Sequence, residues 1–505
     1  RIFAIYGKNI DIEKLPLDDP KVYKLFQDAN TVGIFQVESD GMRRYLRELK
    51  PTELEDIIAM IALYRPGPIE LIPEYIARKH GKKRVTYIHP KLKPILESTQ
   101  GICIYQEQLM KIAQELAGFT LTEADVLRKA VGKKIRSLLM EQQEKFIQGM
   151  LKNGIEKKVA NQLWEWVLPF ARYGFNRSHS AAYALIAYET AYLKAHYPVE
   201  FMSALLTSER NDIERIAFLI EETRKMGIEV LAPDLNESFS FFSVVPEKSQ
   251  IRFGLAAIKN VGEGIVASII QERKERGHFL SIQDFIQRVQ SKDLNKKSLE
   301  SLVKAGAFDQ FEERKRLLSN MDRLLEIARE SQKLQKTNQR GLFDTKGSMI
   351  ATPLSFSLEE TNKATEHELL LWEKELLGLY VSSHPLERVK NILETRALSI
   401  ARLHGRRTKE DTVSHVFPQR TTGKLRIGGI ISSLKKILTK TGKPMLFMGL
   451  EDLTDKIEVV VFPSIMEKNP SAFQENKIVL LGGRLDRRNG ETKFICEDIE
   501  EIVEV

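Results

Sequence analysis

The sequence predicts a multidomain α+β protein in which a mostly helical part precedes a small antiparallel β-barrel. At 505 residues the chain is longer than one hydrophobic core supports, so about three or four domains are expected. Residues 50 to 230 carry apolar side chains at three- and four-residue spacing, which is the period of an amphipathic helix. The last 80 or so residues instead contain short β-rich runs, such as "KIEVVVF" and "KIVLLGGRLDR", separated by turn residues.

The composition, 42% hydrophobic and 29% charged residues, is typical of a soluble cytoplasmic protein. The sequence contains no apolar run long enough to cross a membrane and no signal peptide. Cys103 and Cys496 are far apart, which argues against a disulfide framework or a zinc site, and each is expected to be a small buried apolar residue. Because the first residue is Arg1 rather than methionine, the sequence is expected to be a piece of a longer chain.

The net charge of +8 is concentrated in one part of the predicted helical region. Between Arg65 and Arg136 there are 14 Lys and Arg residues against 7 Asp and Glu residues, a surplus of seven positive charges. Such a surplus is expected of a surface that meets phosphates, although a solvated basic face would have the same composition.

Four of these charges lie within the stretch "LRKAVGKK". They are Arg128, Lys129, Lys133 and Lys134. On a helix, Lys129 and Lys133 share a face. The cluster suits a triphosphate or a nucleic-acid backbone, and a solvated charged helix is the alternative.

The stretch "YGFNRSHSAAYALIAYETAYLKAHYP", residues 173 to 198, predicts a long helix with polar residues at its start. Ser178 is a preferred N-cap residue, the alanines favour the helix, and Pro198 marks its end. His179 and Ser180 would then lie in the first turn, where unpaired N–H groups and the helix dipole favour an anion. Plain capping and nucleophilic catalysis remain alternatives, although adjacent Ser and His side chains diverge on a helix.

The segment "FGLAAIKNVGEGIVASIIQER" has the pattern of a helix-hairpin-helix motif whose second helix opens at Ile265. Its two glycines permit a tight left-handed turn and a close backbone approach to a ligand, and the second helix offers free N–H groups to a phosphate. Such contacts bind the backbone of duplex DNA rather than its sequence, and a purely structural turn is the alternative. A second, degenerate copy is predicted over Leu294 to Phe311. The predicted DNA-binding residues are Asn260, Val261, Gly262, Glu263 and Gly264.

The stretch "QRGLF" places two large apolar side chains within a charged, Gln-rich region. A Leu-Phe pair usually packs on its own domain, but the glutamine at its head and the polar flanks favour a peptide motif for a partner protein. The residues predicted to bind this partner are Gln339, Leu342 and Phe343.

The sequence predicts no metal site. Holding two catalytic metal ions takes two or three carboxylates close together, and the nearest candidate is the stretch Asp11-Ile12-Glu13. That stretch lies in a charged, loop-like lead, so its carboxylates are expected to face solvent.

The predicted barrel is neutral overall, since residues 423 to 505 hold 13 basic and 13 acidic groups. Lys424 to Lys443 nevertheless carry six Lys and Arg residues and no acid, and Lys435 and Lys436 in this run are predicted to contact nucleic acid. Single-strand binding combines such a face with stacking aromatic rings. The available rings are Phe447, Phe462, Phe473 and Phe494, and some must fill the barrel, so weak and salt-sensitive binding is expected.

Taken together, these motifs resemble bacterial replicative DNA polymerase III alpha subunits of the DnaE type, members of the C family of DNA polymerases. The resemblance covers essentially the whole chain, in family order. Stretches similar to the fingers domain include "TVGIFQVESDGMRRYL", "ALYRPGP", "YIARKHGKK" and "GICIYQEQLMKIA", together with the two stretches around Arg128 and His179. "QRGLF" resembles the sliding-clamp motif, and "LLGLYVSSHPLE" is similar to the connector before the OB domain.

The resemblance implies a division of the chain into five parts. Residues 1–45 would be the end of the palm and the lead into the fingers, and residues 46–235 the fingers domain. A tandem helix-hairpin-helix region would cover 236–312, a clamp-binding region and connector 313–415, and the OB-fold domain 423–505.

The resemblance also implies roles for single residues. Arg128 and Lys129 match the basic pair of the pocket for the incoming triphosphate, with Lys133 and Lys134 in the same cluster. Ser178 and His179 match the adjacent helix start, which favours capping and phosphate-side positioning over nucleophilic catalysis. The residues implied to bind the nucleotide are therefore Arg128, Lys129, Lys133, Lys134, Ser178 and His179.

The activity implied is template-directed DNA synthesis by the full-length subunit. The family's catalytic aspartates, which hold Mg²⁺, lie in the palm, upstream of the position of Arg1, and the PHP domain lies upstream too. The isolated chain is therefore expected to be inactive and to bind no cofactor. The implied partners are primed DNA, deoxynucleoside triphosphates and the sliding clamp, and the clamp loader and proofreading exonuclease subunits are further candidates.

Two alternatives from other classes stay open. A non-catalytic accessory protein that binds DNA and the clamp would share the hairpin and clamp motifs, but it would have no reason to keep the fingers pattern. An error-prone paralogue would keep the fingers, but "QRGLF" speaks against it.

Overall fold

The computed structural model describes residues 1–133, 136–170, 174–289, 291, 293–337, 357–381, 384–403, 425–438, 444–486 and 492–502. The described residues divide into two compact units. The first unit comprises residues 1–209, 218–229 and 243–251. The second comprises residues 210–217, 230–242 and those from 252 onward.

Residues 50 to 230 are largely helical, as the apolar spacing predicts, and three further helices precede them. The helices are α1 Ile2–Tyr6, α2 Pro20–Gln27, α3 Asp40–Leu49, α4 Leu54–Leu63, α5 Ile72–Lys79, α6 Lys93–Leu96, α7 Gln106–Ala117, α8 Leu121–Lys133, α9 Arg136–Lys152, α10 Lys157–Phe170, α11 Arg177–His196, α12 Pro198–Ser208 and α13 Ile213–Lys225. None of the helices in the described part of the chain is long and apolar enough to span a membrane.

Two hydrophobic cores organise the first unit. In one core, α4, apolar and buried from Ile57 to Leu63, packs against the alanine side of α11, where small side chains let the two helices approach closely. The other core is formed by α7, α8, α9 and α10 around the rings of Phe146 and Trp164. At Gly149 the backbone of α9 passes so close to the Ala117 carbonyl that a β-carbon would lie 2.0 Å from its oxygen.

Lys194 is a buried cation that ties α11 to the loop after α2. Only 3% of the residue is exposed, and its Nζ donates hydrogen bonds to the carbonyl oxygens of Asn30 (2.8 Å) and Val32 (2.7 Å). Burial lowers the pKa of Lys194 to about 8 from an ordinary 10.5, and of the nearby charges Glu222 and Glu38 oppose this shift while Arg43 adds to it. The loop is thus held at the cost of a buried charge.

The depressed pKa of Lys194 predicts that its contribution to stability increases with pH. Between pH 8 and 10.5 the unfolded chain keeps a proton on this amine that the folded chain has lost, so deprotonation there favours folding. Below pH 8 both states are charged and the full burial cost remains. From about pH 7 to about pH 9.5, the free energy of unfolding of the wild type should rise by about 2 kcal/mol relative to Lys194→Met.

Denaturant unfolding of both proteins at both pH values measures this difference. The methionine leaves the Asn30 and Val32 carbonyls unpaired at every pH, so that cost cancels in the comparison. A stability difference that stays constant with pH would contradict the assignment.

The part of the chain after α13 begins with three short strands and continues with helices. The strands are β1 Glu229–Leu231, β2 Ser243–Val245 and β3 Gln250–Arg252, in the sheet order β1-β3-β2. The helices are α14 Glu263–Arg276, α15 Ile282–Arg288, α16 Lys296–Lys304, α17 Arg314–Ser319, α18 Met321–Thr337, α19 Glu366–Leu377, α20 Lys390–Arg396 and α21 Ile400–Leu403. Arg314, the first residue of α17, connects α17 to α16, to the loop after α16 and to α19. Its guanidinium donates to the Lys304 carbonyl (3.0 Å), to Asp309 (2.7 Å) and to buried Glu373 (3.1 Å).

The last described residues form a closed five-stranded barrel, which confirms the predicted fold class. Its elements are β4 Leu425–Leu438, β5 Pro444–Glu451, β6 Lys456–Val461, α22 Pro463–Lys468, β7 Ile478–Asp486 and β8 Lys493–Glu501. The strand order around the barrel is β4-β5-β6-β8-β7, and the pairs are antiparallel except β6–β8, which is parallel.

The two cysteines are free thiols in apolar surroundings, as expected. Cys496 is buried in the barrel, and Cys103 is partly buried against the second core of the first unit. Burial raises the pKa of each thiol to about 12, so neither is a thiolate at neutral pH.

Candidate functional site

The start of α11 differs from the sequence-based prediction by two residues. The N-cap is Asn176, not Ser178, and its Oδ1 accepts a hydrogen bond from the backbone N–H of His179 (2.8 Å). Asn and Ser are about equally good N-caps, so local chemistry did not separate them. The helix ends at His196, and Pro198 is the first residue of α12 rather than a terminator.

An anion already lies at this helix start, and it belongs to the chain itself. Both carboxylate oxygens of Glu107 accept from the backbone N–H of Arg177 (3.2 and 3.1 Å), and Asn176 Nδ2 donates to one of them (3.0 Å). The first-turn N–H groups of Arg177 and His179 are therefore occupied. A phosphate at this end of α11 would have to be held by side chains rather than by these amides.

A row of aromatic rings begins at Phe175, just before α11, and continues along one face of its first turns. Phe175 meets His179 edge-on with 5.4 Å between ring centroids, and His179 stacks on Tyr183 at 4.4 Å. The guanidinium of Arg65 lies 4.3 Å from the centroid of Phe175, and Phe35 lies 5.1 Å from Tyr183. His179 and Tyr183 are exposed or half-buried, so the row borders solvent.

The predicted basic residue Arg128 belongs to the same neighbourhood. Its Nη1 donates to Gln106 Oε1 (3.3 Å), and Gln106 in turn donates to the carbonyls of Phe175 (2.8 Å) and Gly174 (3.1 Å). Arg128 and His179 are thus connected through Gln106 and Phe175. These two residues, 51 positions apart in the sequence, therefore belong to one network of hydrogen bonds and ring contacts.

Asp125 neutralises part of the basic cluster on α8. It pairs with Arg128 (2.8 Å) and with Lys129 (2.7 Å), and these hydrogen bonds lower the pKa of Asp125. The Arg128 side chain remains one-third exposed and that of Lys129 about half exposed. Lys133 ends α8, but its side chain is not among those described, and Lys134 lies outside the described residues.

Sequence reasoning missed Arg65, Phe175, Tyr183 and Gln106. The aromatic spacing i, i+4, i+8 from Phe175 could have indicated a row on one helix face. Arg65 lies in the loop after α4 and Gln106 begins α7, so only the tertiary fold brings them to the start of α11.

The helix-hairpin-helix region differs in detail from its prediction. The first helix of the predicted motif is absent from its described residues. In its place stands one 3₁₀ turn, Leu255–Ala257, followed by extended backbone. The left-handed residue is Asn260 (φ 67°), whereas Gly262 has φ −77° and is the N-cap of α14. The second helix therefore opens at Glu263, not at Ile265.

The two glycines of the hairpin have different roles. A β-carbon on Gly264 would lie 2.2 Å from Asp293 Oδ2, so its close approach is to the chain itself. A β-carbon on Gly262 would meet nothing within 4 Å, so its backbone faces open space. Val261 is buried, whereas Asn260, Gly262 and Glu263 are exposed, and the Asn260 amide donates to Ser301 Oγ (3.3 Å).

The barrel presents a small basic and aromatic surface. Lys435 and Lys436 are exposed on β4, and Lys435 is paired across the ladder with half-buried Phe447. The ammonium of Lys493 lies 5.8 Å from the centroid of Phe447. Phe462 is also exposed, whereas Phe473 and Phe494 are buried and fill the barrel.

The predicted clamp motif and the stretch around Asp11 add no residue to the clusters described above. Gln339, Leu342 and Phe343 lie outside the described residues. Asp11 and Glu13 are exposed in a 3₁₀ turn, and Asp11 pairs with Lys14 (2.9 Å). Within the described ranges, no three His, Cys, Asp or Glu side chains are grouped so as to hold a metal ion.

Family models match three parts of this chain. The bacterial DNA polymerase III alpha subunit finger domain matches residues 2–154. A helix-hairpin-helix motif matches residues 227–318, and an OB-fold nucleic acid binding domain matches residues 425–502.

Whole-chain comparisons give the same result. The DNA polymerase III subunit alpha of Borreliella burgdorferi is 40% identical over 493 residues, 97% of this chain and 42% of the relative. The corresponding subunits of Aquifex aeolicus and Thermus aquaticus are each 41% identical, over 98% and 99% of this chain and 40% of each relative. The chain thus spans about two fifths of the length of these relatives.

The similarity runs through the helical region, the hairpin and the barrel without a break in order, and the chain therefore belongs to the family of bacterial DNA polymerase III alpha subunits.

Proposed function

We propose that this chain serves template-directed DNA synthesis as part of a replicative DNA polymerase III alpha subunit. Its contribution would be to contact the incoming nucleotide, the primed DNA and the sliding clamp. The observation that supports this most directly is the cluster of Arg65, Arg128 and His179 around the start of α11, in a chain similar over 97% or more of its length to such subunits.

The nucleotide would bind at the basic and aromatic surface of α8 and α11. Arg128 and Lys129, with Lys133 and Lys134 next in sequence, supply positive charge for a triphosphate, and guanidinium groups bind phosphate oxygens in a fixed, two-pronged geometry. Ser178 and His179 lie beside this charge at the helix start. Because Glu107 occupies the nearest backbone amide, the side chains would carry the phosphate contacts.

The substitution Arg128→Ala tests the nucleotide role. In a full-length subunit carrying this segment, it should raise the KM for the nucleotide or lower kcat by about one to two decades, because a charge-assisted hydrogen bond contributes roughly 1.5–3 kcal/mol. Stability should change by less than about 1 kcal/mol, since the pair with Asp125 is surface-exposed. Steady-state primer extension over a nucleotide titration gives both constants.

Lys111→Ala is the matched control, because Lys111 is an exposed cation on α7 outside the cluster. It should leave both constants unchanged. A large drop in melting temperature for Arg128→Ala with normal kinetics would assign Arg128 to folding instead.

Duplex DNA would bind at the hairpin that precedes α14. The predicted contacts run over Asn260, Val261, Gly262, Glu263 and Gly264. Gly262 gives the strongest support for duplex binding here. Its backbone faces open space at the start of a 14-residue helix that has no side-chain cap. Exposed amides at such a position suit a phosphate oxygen and are indifferent to base sequence. Val261 would act through packing, since it is buried.

Gly262→Val should weaken duplex binding equally on unrelated sequences. The added methyl groups would stand where the DNA backbone must approach, while φ of −77° and the open space accept a side chain. The poorer N-cap should cost at most about 1 kcal/mol of stability. Fluorescence anisotropy with duplexes of differing sequence, together with thermal unfolding, measures both effects, and a loss confined to one sequence would refute a backbone contact.

The barrel would give a weak contact to the template strand. Lys435 and Lys436 supply charge from exposed, consecutive positions of β4, and Phe447 and Phe462 supply rings at the surface. Few charges and few rings make this binding modest and strongly salt-dependent.

The sliding clamp would be bound through Gln339, Leu342 and Phe343. Two apolar side chains contribute roughly 1.5–3 kcal/mol each on burial, and ordering the segment offsets much of this, so a single copy should bind at about micromolar strength. Such binding suffices when clamp and subunit are held on the same DNA.

The double change Leu342→Ala, Phe343→Ala should abolish clamp binding and shorten the products of clamp-dependent synthesis. Extension without the clamp and the melting temperature should stay the same, because the motif is proposed to lie outside any core. Clamp pull-down, product length and thermal unfolding are the three measurements. Normal clamp capture by this variant, or its unfolding, would make "QRGLF" a packing element.

The Mg²⁺ of the full-length enzyme is proposed to be held in the part of the relatives that this chain does not span. The clamp loader and proofreading exonuclease subunits are proposed as further partners of that enzyme, and a cytoplasmic location is proposed with it.

A further inference from the structure

Two phenylalanines point outward from the segment Asn236 to Phe242, just before the hairpin in space and sequence. Phe239 is 56% exposed and Phe241 is 40% exposed, whereas neighbouring Ser238 and Phe242 are buried. Single exposed apolar residues are common, but two aromatic rings on one short segment form a patch that needs a reason.

The backbone of this segment is fixed, so the outward position of the rings is set by the fold. Phe239 and Ser240 accept backbone hydrogen bonds from Leu255 (2.9 Å) and Ala256 (3.0 Å). Gly254 lets the two stretches approach, since a β-carbon there would lie 2.5 Å from the Phe241 carbonyl carbon. A rigid ring binds a partner without the entropy cost of ordering it.

Each of the two rings has a guanidinium over it. The guanidinium carbon of Arg273, on α14, lies 5.3 Å from the centroid of Phe239, and that of Arg210 lies 5.1 Å from the centroid of Phe241. These cation–π pairs place planar, positively charged groups directly on an aromatic surface.

Three acidic groups lie near the patch, and Asp234, which acts on the charge of Arg273, accepts hydrogen bonds from the backbone N–H groups of Asn236 and Glu237. Glu237, beside Phe239 in sequence, is bonded to Arg252, and Glu263 lies 3.6 Å from Arg210. Arg210, Arg252 and Arg273 balance these three acidic groups, so no net negative charge opposes a nucleic-acid strand, and the two guanidinium planes on rings suit flat bases.

The same contacts place the patch beside the hairpin. Arg210 reaches both Phe241 and Glu263, the first residue of α14, and Leu255 and Ala256 lead directly into Asn260 to Gly264. We propose that Phe239 and Phe241, with Arg273 and Arg210, stack unpaired bases of single-stranded DNA that continues from the duplex at the hairpin. The proposal rests on the proposed role of the hairpin in duplex binding.

Stacking is the contact that this chemistry supports. Every base has an aromatic face, so stacking on phenylalanine is tolerant of sequence, and the guanidinium groups add charge for the backbone of the strand. Loss of a stacked base contact typically lowers affinity by about tenfold.

The experiment compares the 505-residue chain on a blunt duplex, on the same duplex with a single-stranded tail, and on that duplex with an abasic tail. Fluorescence anisotropy gives the affinity of each. The tail with bases should add about tenfold to the affinity of the unchanged chain, and the abasic tail should add much less. Phe239→Ala with Phe241→Ala should remove this gain and leave blunt-duplex affinity unchanged.

Three variants separate stacking from other causes. Tyrosine at both positions should keep the gain, whereas leucine at both should lose it, because leucine keeps apolar surface but has no aromatic face. Leu280→Ala, which removes a residue that is 84% exposed elsewhere in the same motif, should change nothing.

The outcomes are distinct. No gain from the tail in the unchanged chain, an alanine variant that keeps the gain, or a leucine variant that keeps it would each overturn the proposal. Retention by leucine would assign the tail contact to apolar surface in general rather than to stacking on an aromatic ring. Failure of the unchanged chain to bind the blunt duplex would refute the proposed hairpin function instead, and the tail comparison would still decide the stacking.

Discussion

The bond between Glu107 and the start of α11 holds together the part of the first unit on which the candidate nucleotide site depends. Glu107 lies on α7, which belongs to one core, and it caps α11, which belongs to the other. The connection is extended by backbone hydrogen bonds from Phe175 to Ile104 (3.1 Å) and from Gln106 to Phe175 (2.8 Å). These hydrogen bonds fix the distance between Arg128, on α8, and His179, on α11.

A carboxylate suits this position for two reasons. It completes the hydrogen bonds of the first turn, and its charge opposes the positive end of the helix dipole. Because Glu107 occupies the Arg177 backbone amide, an incoming anion must bind beside Glu107 and through side chains. The Arg177 guanidinium pairs instead with Glu55 (2.5 Å), so the charges of both first-turn neighbours are engaged within the chain.

The sequence was sufficient where local rules decide the outcome. Helical spacing over residues 50 to 230 and the β-rich runs at the end predicted both halves of the fold, because each pattern reports which side chains are buried. It was insufficient where two residues satisfy the same rule. Asn176 and Ser178 are both good N-caps, and only Glu107, some 70 residues away in the chain, favours Asn176 by binding its amide. Asn260 took the left-handed position expected of a glycine for a similar reason, since Asn tolerates that conformation and its amide finds Ser301.

Long-range placement explains what the sequence left out of the candidate sites. Arg65 joins Phe175, and Arg210 and Arg273 join Phe241 and Phe239, only after distant segments pack. All of these pairs use a guanidinium on an aromatic ring, and none presents a side-chain pattern that would read the edge of a base. The proposed contacts at α11, the hairpin and the barrel therefore share one property: they depend on phosphate charge, exposed amides and aromatic faces, which every nucleotide has. The proposed role in copying any template would need contacts of this sequence-independent kind, and the affinity they produce should fall steeply with salt at each surface that carries charge.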